Sequence, residues 1–179
     1  MITRRHLLNA AATLPLFATA KAAQANQRFE FQSIDGGVYA MDDWRGQPIL
    51  VVNTASLCGF TPQYDSLQTL HEEYGPRGLI VLAVPSNDFD QELASEGDVR
   101  DFCDVNFNLT LPMATITHVR GRDAHPFYAW LRQSEGFQPN WNFNKVLLDG
   151  EGQMVASYGS TADPMGHRII RDIETLLAG

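Results

Sequence analysis

Two compact apolar runs with a helical pattern between them most constrain the fold of this chain. Residues 48–54 and 79–84 are rich in Val, Ile and Leu, which is typical of strands covered on both faces. Between them, Pro62 can open a helix that extends to about Tyr74 with apolar residues along one side. Strands that alternate with helices predict an α/β sheet covered on both faces.

The rest of the chain extends this pattern. An Asp-Gly turn at residues 35–36 predicts an N-terminal β-hairpin, and the capping pattern of Ser95 with Asp98 predicts a helix over 96–106. A further helix, two strands and a last amphipathic helix are predicted to begin at Pro126, Asn144, Met154 and about Ile169. Because no segment between Phe29 and Leu177 resembles a linker, we expect one domain.

Cys58 lies where the first apolar run meets the helix opened by Pro62. Unpaired backbone N–H groups and the positive end of a helix dipole favour a thiolate there, and the thiolate is the nucleophilic form of cysteine. Gly59 permits close approach of the backbone. We therefore interpret Cys58 as a reactive thiol. The alternative is an inert cysteine packed as a small hydrophobic residue.

The segment from 53 to 64, Asn-Thr-Ala-Ser-Leu-Cys-Gly-Phe-Thr-Pro-Gln-Tyr, resembles the peroxidatic segment of the glutathione peroxidase family in its cysteine-containing form. Further stretches agree in order and spacing, at residues 85–89, 101–103, 111–113, 125–128 and 141–145. The resemblance implies a thioredoxin-like fold over residues 26–179, with a central mixed sheet flanked by helices and an N-terminal β-hairpin. It also implies thiol-dependent reduction of hydrogen peroxide and of organic or lipid hydroperoxides.

The same resemblance implies roles for both cysteines. Cys58 would be oxidised to a sulfenic acid, and Cys103 matches the resolving cysteine of the thioredoxin-dependent branch. We expect a Cys58–Cys103 disulfide to form during turnover, after partial unwinding of the helix that carries Cys103. A permanent structural disulfide is the alternative, because two cysteines in an exported chain usually pair. Ser86 stands where many relatives have another cysteine.

Trp141 and Asn142 match the two N–H donors that surround the reactive sulfur in the family. Asp88 departs from the family, which usually has Gln at this position. An ionised carboxylate cannot donate a hydrogen bond, and its charge disfavours a nearby thiolate. Asp88 remains a candidate site residue with three alternatives open: it points away, it is protonated, or Gln91 or the backbone supplies the missing donor.

The expected partners are a hydroperoxide and a reductant that is either a thioredoxin-like protein or glutathione. No cofactor or metal ion is expected. The formal charge of −8 argues against nucleic acid and anionic membranes as partners. The short loop over 134–140 lacks the insertion found in tetrameric relatives, which predicts a monomer.

Residues 1–25 differ in composition from the rest of the chain. Arg4 and Arg5 precede an apolar stretch and small residues suited to cleavage, which is typical of a twin-arginine export signal. The general secretion route stays open because Asn9 follows the Leu pair. The alternative to an export signal is an amphipathic N-terminal helix that stays attached. We expect a periplasmic or otherwise exported protein without stable membrane insertion once the signal is removed.

Two other functions compete with the peroxidase. An exported thiol–disulfide oxidoreductase would usually carry Cys-x-x-Cys, but position 61 is Thr61. A non-catalytic domain that relays or senses a disulfide is the third hypothesis. Peroxide turnover with a supplied reductant separates the first function from both others.

Overall fold

The computed structural model describes residues 28–178. The strands in this part of the chain are β1 (Glu30–Gln32), β2 (Val38–Ala40), β3 (Ile49–Thr54), β4 (Ile80–Pro85), β5 (Lys145–Leu148) and β6 (Met154–Tyr158). The α-helices are α1 (Gln63–Tyr74), α2 (Glu96–Phe107), α3 (Pro126–Ser134) and α4 (His167–Leu177). Each element predicted from the sequence is present, and the ends differ by a few residues.

The central sheet is mixed, with the strand order β4-β3-β5-β6. β3 and β4 are parallel, whereas β5 is antiparallel to both β3 and β6. β1 and β2 form the predicted antiparallel hairpin beside this sheet. The thioredoxin-like fold expected from the resemblance is confirmed.

Alternating side chains give the sheet two apolar faces. Leu50 and Val52 of β3 belong to a core built with α1, α2 and α4. Ile49 and Val51 belong to a second core, which contains residues of α3 and Phe31 of the hairpin. Burial on both faces explains why β3 is an uninterrupted apolar run in the sequence.

Three segments meet at one end of the central strands. The parallel strands β3 and β4 end there at Thr54 and Pro85, and the antiparallel β5 begins there at Lys145. The loops that follow β3 and β4 and the turn that precedes β5 are therefore neighbours. They contain most of the residues predicted for the site.

The predicted export signal over residues 1–25 lies outside the described residues. Within residues 28–178, no helix has the length and hydrophobicity needed to cross a membrane.

Candidate active site

Cys58 lies in a tight turn between β3 and α1, with its side chain just below the surface. Its residue is 7% exposed, whereas Leu57 beside it is 60% exposed. The Phe60 N–H donates to Cys58 Sγ at 3.4 Å. A backbone N–H that donates to sulfur is a stronger partner for a thiolate than for a neutral thiol.

The buried Thr61 side chain stabilises this turn by two hydrogen bonds to its backbone. The Cys58 N–H donates to Thr61 Oγ1 at 3.1 Å, and that hydroxyl donates to the Ala55 carbonyl at 2.8 Å. The hydroxyl thus stands three residues after Cys58, where a Cys-x-x-Cys site would have its second thiol.

Gln91 connects the Cys58 turn to Asn142. Its backbone carbonyl accepts a hydrogen bond from the Leu57 N–H at 2.9 Å, and its side-chain Oε1 accepts one from Asn142 Nδ2 at 3.1 Å. Asn142 is fully buried. The structure therefore connects the turn that carries Cys58, through Leu57, to Gln91 and Asn142, and Gln91 is one of the candidate replacement donors.

Trp141 lies at the surface of this group. Its residue is 40% exposed, and its ring centroid lies 5.4 Å from that of Phe89. The Trp141 carbonyl accepts a hydrogen bond from Asn53 Nδ2 at 3.0 Å, which fixes its backbone to the end of β3. The exposed ring argues against simple core filling.

Asp88 is turned toward another loop. One carboxylate oxygen contacts His118 Nδ1 at 2.7 Å, and the other accepts from the backbone N–H groups of Val119 and Arg120 at 2.6 and 3.0 Å. The hydrogen bond and the charge of Asp88 raise the pKa of His118. Of the alternatives left open, the structure favours the one in which Asp88 points away from Cys58.

Glu92 is a buried acid that holds the residues before Cys58. Its Oε1 accepts hydrogen bonds from the Ser56 N–H at 3.0 Å and from the Leu93 N–H at 2.8 Å. Burial raises the pKa of this carboxyl, although these hydrogen bonds oppose the shift. The sequence did not single out Glu92, because an acid in a polar loop looks the same whether its side chain points in or out.

Cys103 is buried in α2 and faces the sheet. Its residue is 1% exposed, and both cysteines are free thiols. Burial raises the pKa of the Cys103 thiol to about 12. The fully buried Tyr64 hydroxyl lies near this thiol and Thr54, but it forms no hydrogen bond of normal geometry with the described residues.

In this part of the fold, several buried side-chain polar atoms have no hydrogen-bond partner among the described residues. They are Asn53 Oδ1, Thr54 Oγ1, Ser56 Oγ, Tyr64 OH, Glu92 Oε2 and Asn142 Oδ1.

A family model described as glutathione peroxidase matches residues 27–132. A hydroperoxy fatty acid reductase from Synechocystis sp. is 39% identical over 170 residues, covering 89% of this chain and 99% of the relative. A glutathione peroxidase-like peroxiredoxin from Chlamydomonas reinhardtii is also 39% identical, covering 74% of this chain and 85% of that protein. Among solved structures, Trgpx in apo form has a TM-score of 0.65 and 28% identity, covering 84% of this chain and 93% of that chain.

Proposed function

Because the chain belongs to the glutathione peroxidase family and is a thiol-dependent hydroperoxide reductase, we propose that Cys58 is its peroxidatic residue. The observation that carries this assignment is the Phe60 N–H donating to Cys58 Sγ in a turn adjoining Gln91 and Asn142. A Cys58 thiolate in that turn has the Phe60 N–H as a fixed hydrogen-bond donor, and the side-chain amides of Gln91 and Asn142 belong to the adjoining segments.

The first step transfers oxygen to sulfur. The Cys58 thiolate attacks the distal oxygen of a hydroperoxide, the O–O bond breaks, and Cys58 becomes a sulfenic acid. The leaving alkoxide or hydroxide takes a proton and departs as an alcohol or water. The step therefore needs a hydrogen-bond donor near the leaving oxygen.

Gln91 supplies a donor in place of the Gln that the family usually has at position 88. Its Oε1 already accepts from Asn142, which leaves its amide N–H₂ for the sulfur or the peroxide. Both oxygens of Asp88 are engaged with residues 118–120. Trp141 and Asn142 complete the donor group.

Cys103 resolves the sulfenic acid. Its thiolate attacks Cys58 Sγ, the S–S bond forms, the S–O bond breaks, and hydroxide leaves and is protonated to water. Because burial raises the pKa of the Cys103 thiol to about 12, Cys103 is neutral in the folded protein at neutral pH. Partial unwinding of α2 exposes the thiol and restores its nucleophilicity.

The exposed Leu57 and Trp141 side chains make the entrance to this site apolar and open. Such an entrance suits organic and lipid hydroperoxides as well as hydrogen peroxide, and the Synechocystis relative is named a hydroperoxy fatty acid reductase. The reductant is a thioredoxin-like protein or glutathione. The enzyme acts as a monomer, and residues 1–25 direct it to the periplasm or otherwise out of the cell.

Trapping of sulfenic acid with dimedone, followed by mass spectrometry, tests the assignment of Cys58. Cys103→Ser, in which no disulfide competes for the sulfenic acid, should carry the label on Cys58 after one equivalent of peroxide, and Cys58→Ser should lose both the label and peroxide turnover. Turnover near the wild-type level in Cys58→Ser would refute the assignment.

The donor assignment has a matched pair of variants. Gln91→Ala should lower the rate of Cys58 oxidation by about tenfold or more, because it removes a donor to developing charge. Asp88→Asn, three residues away in the same loop, should leave the rate close to wild type. A large loss in Asp88→Asn with none in Gln91→Ala would reverse the assignment.

A further inference from the structure

Lys145 is a buried ammonium group behind the proposed site. It is the first residue of β5, its side chain is fully buried, and its neighbours across the sheet are Val52 and Tyr158. In residues 28–178, no carboxylate forms a salt bridge with its Nζ. Burial lowers the pKa of Lys145 to about 8, and the charge of Asp163 opposes this effect. A cation in such a place depends on its hydrogen bonds.

Two hydrogen bonds hold this ammonium group. Nζ donates to Gln63 Oε1 at 2.6 Å and to the Phe143 carbonyl at 2.8 Å. Phe143 has a φ of +58°, a left-handed conformation that bulky residues rarely adopt, and its ring is fully buried. Its N–H donates to the Asn53 carbonyl at 2.6 Å. The strained residue is thus held by β3 on one side and by Lys145 on the other.

Lys145 is connected to Asn142 in two ways. The first is its hydrogen bond to Phe143, the residue after Asn142, and the second passes through Gln63. Gln63 Nε2 donates to the Ser160 carbonyl at 2.6 Å, and Ser160 Oγ donates to the Asn142 carbonyl at 2.6 Å. The backbone of Asn142 is therefore held by the Ser160 hydroxyl at its carbonyl and is followed directly by the strained Phe143. Both routes from Lys145 end at the residue whose amide contacts Gln91.

We propose that Lys145 is a positioning residue for the reduction of hydroperoxides. Its buried ammonium group holds the turn that aims the Asn142 amide at Gln91, beside Cys58. Lys145 touches neither sulfur nor peroxide and acts through Asn142. This role rests on the function proposed above for Cys58.

A double-mutant cycle on the rate of Cys58 oxidation tests this role. Lys145→Met keeps most of the side-chain volume without the charge and should lower the rate roughly 10- to 100-fold, because small misplacements of catalytic groups have effects of this size. In an Asn142→Ala background, the same substitution should have little further effect, because there is no amide left to aim. Equal effects in both backgrounds would show that Lys145 does not act through Asn142.

Tyr158→Phe is the matched control. Tyr158 pairs with Lys145 across the sheet, and its hydroxyl donates to Asp172 at 2.9 Å, away from Asn142. This variant loses a hydrogen bond in the same part of the fold and should oxidise at the wild-type rate. Dimedone labelling of Cys58 in Cys103→Ser, where the sulfenic acid persists, separates the two proposals. Its absence would count against Cys58 itself, whereas labelling at an unchanged rate in Lys145→Met would overturn only the role of Lys145.

A second measurement covers the case in which Lys145→Met does not fold. The chain has only two lysines, Lys21 and Lys145, so ¹⁵N-lysine labelling of Lys21→Arg gives a single Nζ signal. This signal should shift when Ser160→Ala is added, since the Ser160 hydroxyl is the side-chain link between the network that holds Nζ and the Asn142 carbonyl. An unchanged Nζ signal would contradict the connection.

Discussion

At the scale of single residues, Trp141 gives a direct test of whether the surface of the site participates in chemistry. We expect Trp141→Phe to keep most of the contact with Phe89 and the free energy of unfolding, because the ring is 40% exposed. The rate of Cys58 oxidation should fall, because only the indole N–H donor is lost. Stopped-flow oxidation and urea denaturation measure the two quantities. An unchanged oxidation rate would leave Trp141 with a packing role only.

Glu92 gives a residue-scale prediction about pH. Burial raises its pKa in the folded protein above the ordinary value of 4.5, so the unfolded chain loses this proton first as pH rises. The contribution of Glu92 to stability is therefore greatest below pH 4.5 and decreases up to the folded pKa. Glu92→Gln abolishes this decrease and keeps an oxygen for the Ser56 and Leu93 N–H groups.

We expect the stability of Glu92→Gln relative to wild type to increase from about pH 4 to pH 7. Urea denaturation at several pH values measures this difference, with Glu151→Gln on an exposed turn as the control. If the free energies of unfolding of Glu92→Gln and wild type change in parallel over this range, the pKa of Glu92 is not raised in the folded protein.

At the scale of elements, local patterns account for the strands and helices but not for side-chain direction within loops. β3 could be predicted because both of its faces are buried, and the start of α2 because Ser95 accepts a hydrogen bond from the Asp98 N–H. The direction of Asp88 depends on donors about 30 residues further along the chain, at Val119 and Arg120. No local pattern reports such a contact. The left-handed conformation of Phe143 could not be predicted either, because the contacts that hold it, such as its hydrogen bond to Asn53, are also distant in sequence.

In the proposed cycle, partial unwinding of α2 separates the two steps, and Cys103→Ser tests this proposal. The variant should consume about one equivalent of peroxide and then stall with a thioredoxin-type reductant, because no internal disulfide forms. Mass spectrometry before and after one equivalent of peroxide, with multiple-turnover assays, follows both steps. Sustained turnover would rule out an essential resolving role. A cross-link in the resting protein, with a loss of about 2–5 kcal/mol on its removal, would instead indicate a structural disulfide.

At the scale of the whole molecule, the two cores have different consequences for function. The core on one face of the sheet includes α2, which contributes only Val99 and Cys103 as buried residues. The core on the other face includes α3, which contributes four, among them Leu131. A helix held by few buried residues can open locally while the rest of the molecule stays folded. Local opening of α2 therefore does not require loss of the second core.

This difference predicts opposite results for two truncations. Val99→Ala should loosen α2 and speed formation of the Cys58–Cys103 disulfide. Leu131→Ala should lower the free energy of unfolding by about 2–5 kcal/mol, because it leaves a cavity in a fully buried position. It should leave the rate of disulfide formation unchanged, since its core does not include α2. Quenched-flow mass spectrometry of the disulfide and urea denaturation measure the two effects. Equal acceleration in both variants would mean that Cys103 is released by global unfolding, and the local opening of α2 would have to be abandoned.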